Sequence, residues 1–232
     1  MSGFTNKPKI LRGAFVEYGL SLPPLFVVFQ FNPEQLTRSR NLRYSAPGSG
    51  QTKEQSGSLR NFHKQDKFKD LTNLRDAQVV DVQEESISFE IRLDASDKLD
   101  EGDTITEQFG ISPQLSTLEL MVHPKDESLI GQVIGSLLGS PGGFSFTRKP
   151  NPPLVLFIWG RKRVLPVNIN SLNITELLHS TDLNPIRATV SVSLTVIEGQ
   201  SIPYMYSKAM KEAMSVLNLA NITDIANVVI PG

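Results

Sequence analysis

The chain has no cysteine, which removes disulfides, thiolate nucleophiles and thiolate zinc sites together. It has only three histidines, His63, His123 and His179, far apart and in no spacing that builds a helical metal pair or a zinc motif. Each reads as an ordinary surface or packed histidine. There is no nucleophile elbow, no phosphate-cradling glycine loop and no dinucleotide fingerprint. The expectation is therefore a protein that is not an enzyme and takes no cofactor. An excess of one charge is also missing. With 23 basic and 24 acidic residues and a net charge of -1, there is no electrostatic case for nucleic acid or an anionic membrane. No run approaches the roughly 18 apolar residues of a membrane-spanning helix, and Met1 to Lys9 lacks the apolar core of a signal peptide. Synthesis and folding in the cytoplasm are expected.

What the sequence does contain is alternation. From Ile186 the even positions Ile186, Ala188, Val190, Val192, Leu194 and Val196 are apolar, and Arg187, Thr189, Ser191, Ser193 and Thr195 between them are polar. A half-buried β-strand has that period of two. Upstream, Leu154 to Trp159 is a continuous apolar run, the pattern of a strand buried on both faces. Between the two, Leu165, Val167 and Ile169 take odd positions, whereas Leu172, Ile174 and Leu178 take even ones. The phase slips by one near Asn170 and Ser171, which predicts a bulge, since one extra residue moves a strand's apolar set to its other face.

Earlier in the chain, Lys9 to Tyr18 and Leu25 to Phe31 read as two strands, the second stopped at Asn32-Pro33. Leu36 to Arg43 places Leu36, Arg38, Arg40 and Leu42 on one face and Thr37, Ser39, Asn41 and Arg43 on the other. Neither is a core face, so this is an exposed edge whose arginines are solvated guards or contacts to a neighbouring subunit. Ser86 to Asp94 alternates cleanly, with Ile87, Phe89, Ile91 and Leu93 inward. Ser112 is the expected cap and Pro113 the first position of a short helix that ends before Pro124, with Leu115, Leu118, Met121 and Val122 on one face. Leu129 to Phe146 suggests a short helix and loop. Tyr204 to Leu217 carries Tyr206, Met210, Ala213, Met214 and Leu217 at helical spacing, a stripe expected to pack on the core, with a docking surface as the alternative.

At 232 residues one main domain is expected: an arm over 1–9, a β domain over 10–200 with a mobile loop at 45–58, and a helical extension over 201–232. The carboxylates Asp94, Asp97, Asp100, Glu101 and Asp103 fail the EF-hand spacing and read as a solvated turn between strand and helix. Arg161, Lys162 and Arg163 follow Trp159-Gly160 in what reads as a tight connection, either solvated or in charged contact with another subunit or with negatively charged cargo in a channel.

Three segments carry a resemblance. They are Phe29 to Arg40 with Phe31, Asn32 and Pro33 at its centre, Trp159-Gly160 with Leu165-Pro166-Val167, and Leu183-Asn184-Pro185 running into Ile186-Arg187-Ala188. In this order and spacing the chain resembles the tube-type domain of contractile injection systems, the phage-tail-like particles of bacteria, over roughly residues 10 to 200. The resemblance implies an antiparallel β-barrel of the tail-tube and Hcp kind, with one short internal helix and a C-terminal helix, assembling as a hexameric ring. It implies a place at the baseplate end of the inner tube. The partners implied are further copies of the chain, a tube or tube-initiator protein, a spike or hub protein and baseplate wedge components, but no nucleic acid and no membrane. Assembly would be in the bacterial cytoplasm, in a particle later released or membrane-anchored. Arg38, Arg40, Arg43, Arg161, Lys162 and Arg163 become candidate interface residues. Many such proteins add a LysM module, and here a helix stands after Ile197 instead. Gly102-Asp103-Thr104 with Phe109-Gly110-Ile111-Ser112 resembles the opening of a LysM glycan-binding repeat, so a glycan-binding module is one alternative. A secreted Hcp-like ring carrying cargo is the other.

Overall fold

The computed structural model describes residues 10–19, 24–47, 59–123 and 151–220. The expectations for the arm at 1–9, for 48–58 of the loop and for Leu129 to Phe146 lie outside the described residues. The chain divides into two compact units, one of residues 1–37 with 87–232, the other of residues 38–86.

The first unit is built on an antiparallel sheet. Its strands include β1 (Ala14–Glu17), β2 (Phe26–Val28), β6 (Ser86–Asp94), β7 (Val155–Ile158), β8 (Val164–His179) and β9 (Pro185–Val196), and β3 (Leu36–Ser39) carries the chain across the division after Thr37. The order is β2-β1-β7-β8-β9-β6-β3. In β9 the alternation becomes burial: Ala188, Val190, Val192, Leu194 and Val196 are buried, and Ile186 is half-buried. In β6 the same holds for Ile87, Phe89, Ile91 and Leu93.

Four phenylalanines show how far this sheet bends. The ring of Phe89 on β6 lies 5.2 Å from that of Phe157 on β7, although β8 and β9 run between them. Phe29, next after β2, lies 5.8 Å from Phe89. In a flat sheet, three and five strand spacings would separate these pairs by roughly 14 and 24 Å. The sheet therefore curls about its own apolar face, so that side chains from β6, from β7 and from the residue after β2 share one core. Phe15 completes the cluster, with its ring 5.1 Å from Phe29.

The slip near Asn170 is present. Ile169 pairs with Leu194 and Ser171 with Ser193, leaving Asn170 as the extra residue. A second shift leaves Leu177 extra between Glu176 and Leu178. β7 accompanies β8 only from Val164 to Val167. Beyond that, from Asn168 to His179, β8 pairs with β9 alone among the described residues.

Several expectations need correction. The run at Leu154 is not buried on both faces: Val155 and Phe157 are covered, whereas Leu156 and Ile158 are half-exposed on the outer face. A continuous apolar run here reflects one covered face and one half-covered one. The single internal helix is also too few. Besides α5 (Ser112–Val122) there are α1 (Leu59–His63), α2 (Leu71–Ala77), α3 (Ser96–Asp100) and α4 (Thr104–Phe109), so the acidic segment after β6 is two short helices and not a turn. α5 starts from Ile111, not from a Ser112 cap. The Ile111 carbonyl accepts the first helical bonds, while its amide donates to the Pro185 carbonyl at 2.9 Å. Gly110 beside it has φ 57°, and a Cβ there would fall 2.1 Å from that same carbonyl oxygen, so only glycine fits.

The second unit is thinner. Leu36 to Arg43 is not one strand: it breaks at Arg40 and Asn41 into β3 and β4 (Leu42–Ser45), and β4 pairs with β5 (Val79–Val82) in a two-stranded ribbon. With no core face to hold it straight, the segment bends where Arg40 turns to Glu85. Phe62 of α1 and Phe68 of a 3-10 turn (Asp66–Phe68) bury each other, with ring centroids 4.6 Å apart. Asp70 caps α2, its side chain accepting from the Thr72 amide at 2.9 Å.

Candidate assembly surfaces

The resemblance residues fall into two kinds. Asn32 is a staple: its Oδ1 accepts from the Gly13 amide at 2.9 Å and its Nδ2 donates to the Leu11 carbonyl at 2.8 Å. Pro166 and Val167 are buried beside β7, Pro185 is buried at the head of β9, and Trp159 is half-buried against Phe157. Gly160 takes φ 64° in the β7–β8 connection. These residues set the fold. Phe31 and Leu183, by contrast, are 48% and 80% exposed, and Pro33 is half-buried.

Phe31 lies in an open groove of about 1360 Å³ in the first unit, walled by the 30–35 loop, β6 and β9. Its rim is tied by ion pairs. Arg92 donates to Glu34 at 3.1 Å, and Arg187 donates to Asp94 at 2.7 Å. Partial burial opposes ionisation of Asp94, but bonds from the Ser96 hydroxyl and amide, with Arg187, win and hold its carboxyl below the ordinary value. Asp103 is also lowered, first by the Thr106 hydroxyl. Gly102-Asp103-Thr104 stands at the start of α4, packed within the first unit and not set apart from it.

The candidate interface arginines separate. Arg38 and Arg40 both reach Glu85, at 3.5 Å each, and Glu85 is 5% exposed. They form a cluster around one buried carboxylate within the second unit, a partner that reading the arginines alone does not supply. Arg43 stands opposite Asp81 on the ribbon. At the other site the connection carrying Arg161, Lys162 and Arg163 is gripped by α6 (Ile202–Leu217). Tyr206 donates its hydroxyl to the Arg161 carbonyl at 2.7 Å, and the Lys162 ammonium lies 3.2 Å from the Met214 sulfur. The Arg163 carbonyl accepts from the Trp159 amide.

α6 does not pack as its methionine stripe suggests. Its buried residue is Ser207, whose hydroxyl accepts from the Val164 amide at 2.8 Å and donates to the Val164 carbonyl at 2.7 Å. One side chain thus supplies at Val164 what a neighbouring strand would. Met214, Val216 and Leu217 are exposed. A second uncovered apolar surface lies on the ribbon of the second unit, where Leu42 faces Val82 and Tyr44 faces Val80, each between 40% and 52% exposed. The alternation of Val80, Asp81 and Val82 is the signal that finds this face.

Among the described residues no group of three or more His, Asp or Glu side chains is arranged to hold a metal ion, and no helix is long and apolar enough to cross a membrane. No protein-family model matches the chain, and no curated protein matches its sequence.

Proposed function

We propose that the chain is a non-enzymatic structural subunit of a phage-tail-like contractile injection particle. It forms a ring, hexameric in such particles, at the baseplate end of the inner tube and joins tube to central spike. In this reading the curled sheet closes as a tail-tube barrel and sheath contraction drives tube and spike outward with the ring as coupler. The observation that carries the proposal is the bare edge of β8. Over the twelve residues Asn168 to His179 one side of the strand offers its amides and carbonyls to no other strand among the described residues. A long open edge is a template for another chain, and natural monomers shorten, cover or charge such edges. Here the only charged side chains are Glu176 and, when protonated, its neighbour His179. The three resemblance segments support the same reading, and so do the uncovered faces of α6 and the ribbon, since a ring subunit completes its surfaces with its neighbours.

The test is assembly. Purified chain should sediment as a closed oligomer and appear as rings with a central channel by electron microscopy. Proline at Thr175, on the open edge, should disperse the rings. A chain that stays monomeric at every concentration, with particles that still join tube and baseplate in its absence, removes the proposal.

A further inference from the structure

The turn between β8 and β9 holds one leucine in a conformation that leucine disfavours, and holds it in water. Leu183 has φ 62°, the one positive value at a non-glycine among the described residues, and is 80% exposed. In that left-handed region the Cβ crowds the following carbonyl oxygen, a cost that glycine avoids and that asparagine or aspartate offsets by local hydrogen bonds, as leucine cannot.

The turn does not need leucine there. The Ser180 amide donates to the Asn184 carbonyl at 2.8 Å, and the Leu183 amide donates to the Ser180 carbonyl at 3.0 Å. The Ser180 hydroxyl oxygen accepts from the amides of Asp182 and Asn184, at 3.3 and 3.1 Å. Asn184 Nδ2 anchors the turn to the Gln108 carbonyl at 2.8 Å. None of these bonds uses the Leu183 side chain. Asparagine would satisfy the backbone and the solvent together, so two unfavourable features stand at a position whose frame requires neither. A rigid frame presenting an apolar side chain is what a binding anchor needs, because little ordering remains to be done on contact.

We infer that Asp182 and Leu183 form a knob that seats in the groove beside Phe31 of a second copy of the chain. The groove has the matching chemistry. Ile10, Phe31 and Leu177 line it and are 77%, 48% and 58% exposed. Arg12 also lines it. Arg92 and Arg187 there already hold Glu34 and Asp94, whereas Arg12 and Asp182 make no ion pair among the described residues. Leucine on the apolar lining and Asp182 on Arg12 satisfy both. Knob and groove are different patches, so the contact runs head to tail, the arrangement that closes into a ring when its rotation allows. The inference rests on the ring reading and names one contact within it.

The experiment compares self-association by sedimentation velocity and thermal melting for wild type, Leu183→Asn, Asp182→Arg, Arg12→Asp and the double charge exchange. Leu183→Asn should melt at the same or a higher temperature, yet associate at least about tenfold more weakly, the loss expected for an interface anchor. Each single charge change should weaken association, and the exchange should recover it. If wild type assembles and Leu183→Asn assembles equally well, or if the exchange is no better than its parts, the knob is overturned and the ring reading stands. A wild type that never associates overturns both.

Discussion

β9 and the β4–β5 ribbon follow the same rule in sequence and meet opposite fates in space. Both alternate apolar with polar residues. In β9 the apolar residues from Ala188 to Val196 are buried in the core, whereas in the ribbon Leu42, Tyr44, Val80 and Val82 stay about half exposed. Alternation states that a strand has two unlike faces and does not say what covers the apolar one. In the first unit the chain covers its own. In the second, two strands and a pair of phenylalanines are too little to do so, as expected of a two-stranded ribbon. An apolar face kept uncovered by its own chain is the kind of surface that marks a contact with another.

This contrast can be broken or sharpened by substitution. The largest effect belongs to the covered face: Val190→Asp buries a charge where Val190 is 0% exposed and should cost about 4 kcal/mol or more, abolishing the native circular-dichroism signal. Next comes Ser207→Ala, which strips two hydrogen bonds from the Val164 backbone; a loss of about 1–3 kcal/mol in urea denaturation is expected. A smaller effect, below about 1 kcal/mol, belongs to Asp94→Asn. Because the folded carboxyl titrates below its ordinary value, its stabilisation is complete above the unfolded pKa. The gap between wild type and variant in melting temperature should hold from pH 7 down to about 5 and shrink as pH falls below about 4. The smallest effect on folding belongs to the uncovered surfaces. Tyr44→Ser and Arg161→Glu should change monomer stability by no more than about 0.5 kcal/mol while reducing assembly. Equal loss of folding at Val190 and Arg161 would mean that covered and uncovered faces have been exchanged.

Much of the first unit is legible in the sequence because its signals are local. Ser86 to Asp94 is a strand over the expected residues, and the phase slip places a bulge at Asn170, since period and register are written in consecutive residues. The curl is not legible. Nothing near Phe29 or Phe89 says that they will touch, because that contact is made by a sheet bending over five strand spacings. The second unit is the less legible of the two. Val79–Val82 is too short to stand out, and α1 and α2 are held by a Phe62–Phe68 contact and a cap at Asp70 more than by a regular apolar stripe. At the candidate surfaces, the six cations are visible as residue types, but Glu85 and Ser207 are not visible as their organisers. One carboxylate answering two arginines, and one hydroxyl answering a strand's amide and carbonyl, are relations of position that composition does not carry.

The ladder between β8 and β9 has a mechanical consequence. Cross-strand hydrogen bonds in an antiparallel pair lie perpendicular to the strands. A force pulling the two strands apart lengthwise therefore loads every bond of the ladder together, whereas a force lifting the turn at Leu183 opens them one after another. The same hairpin is stiff along its length and peels from its tip, and Asn184 with Gly110 and Ile111 clamps the place where peeling would begin.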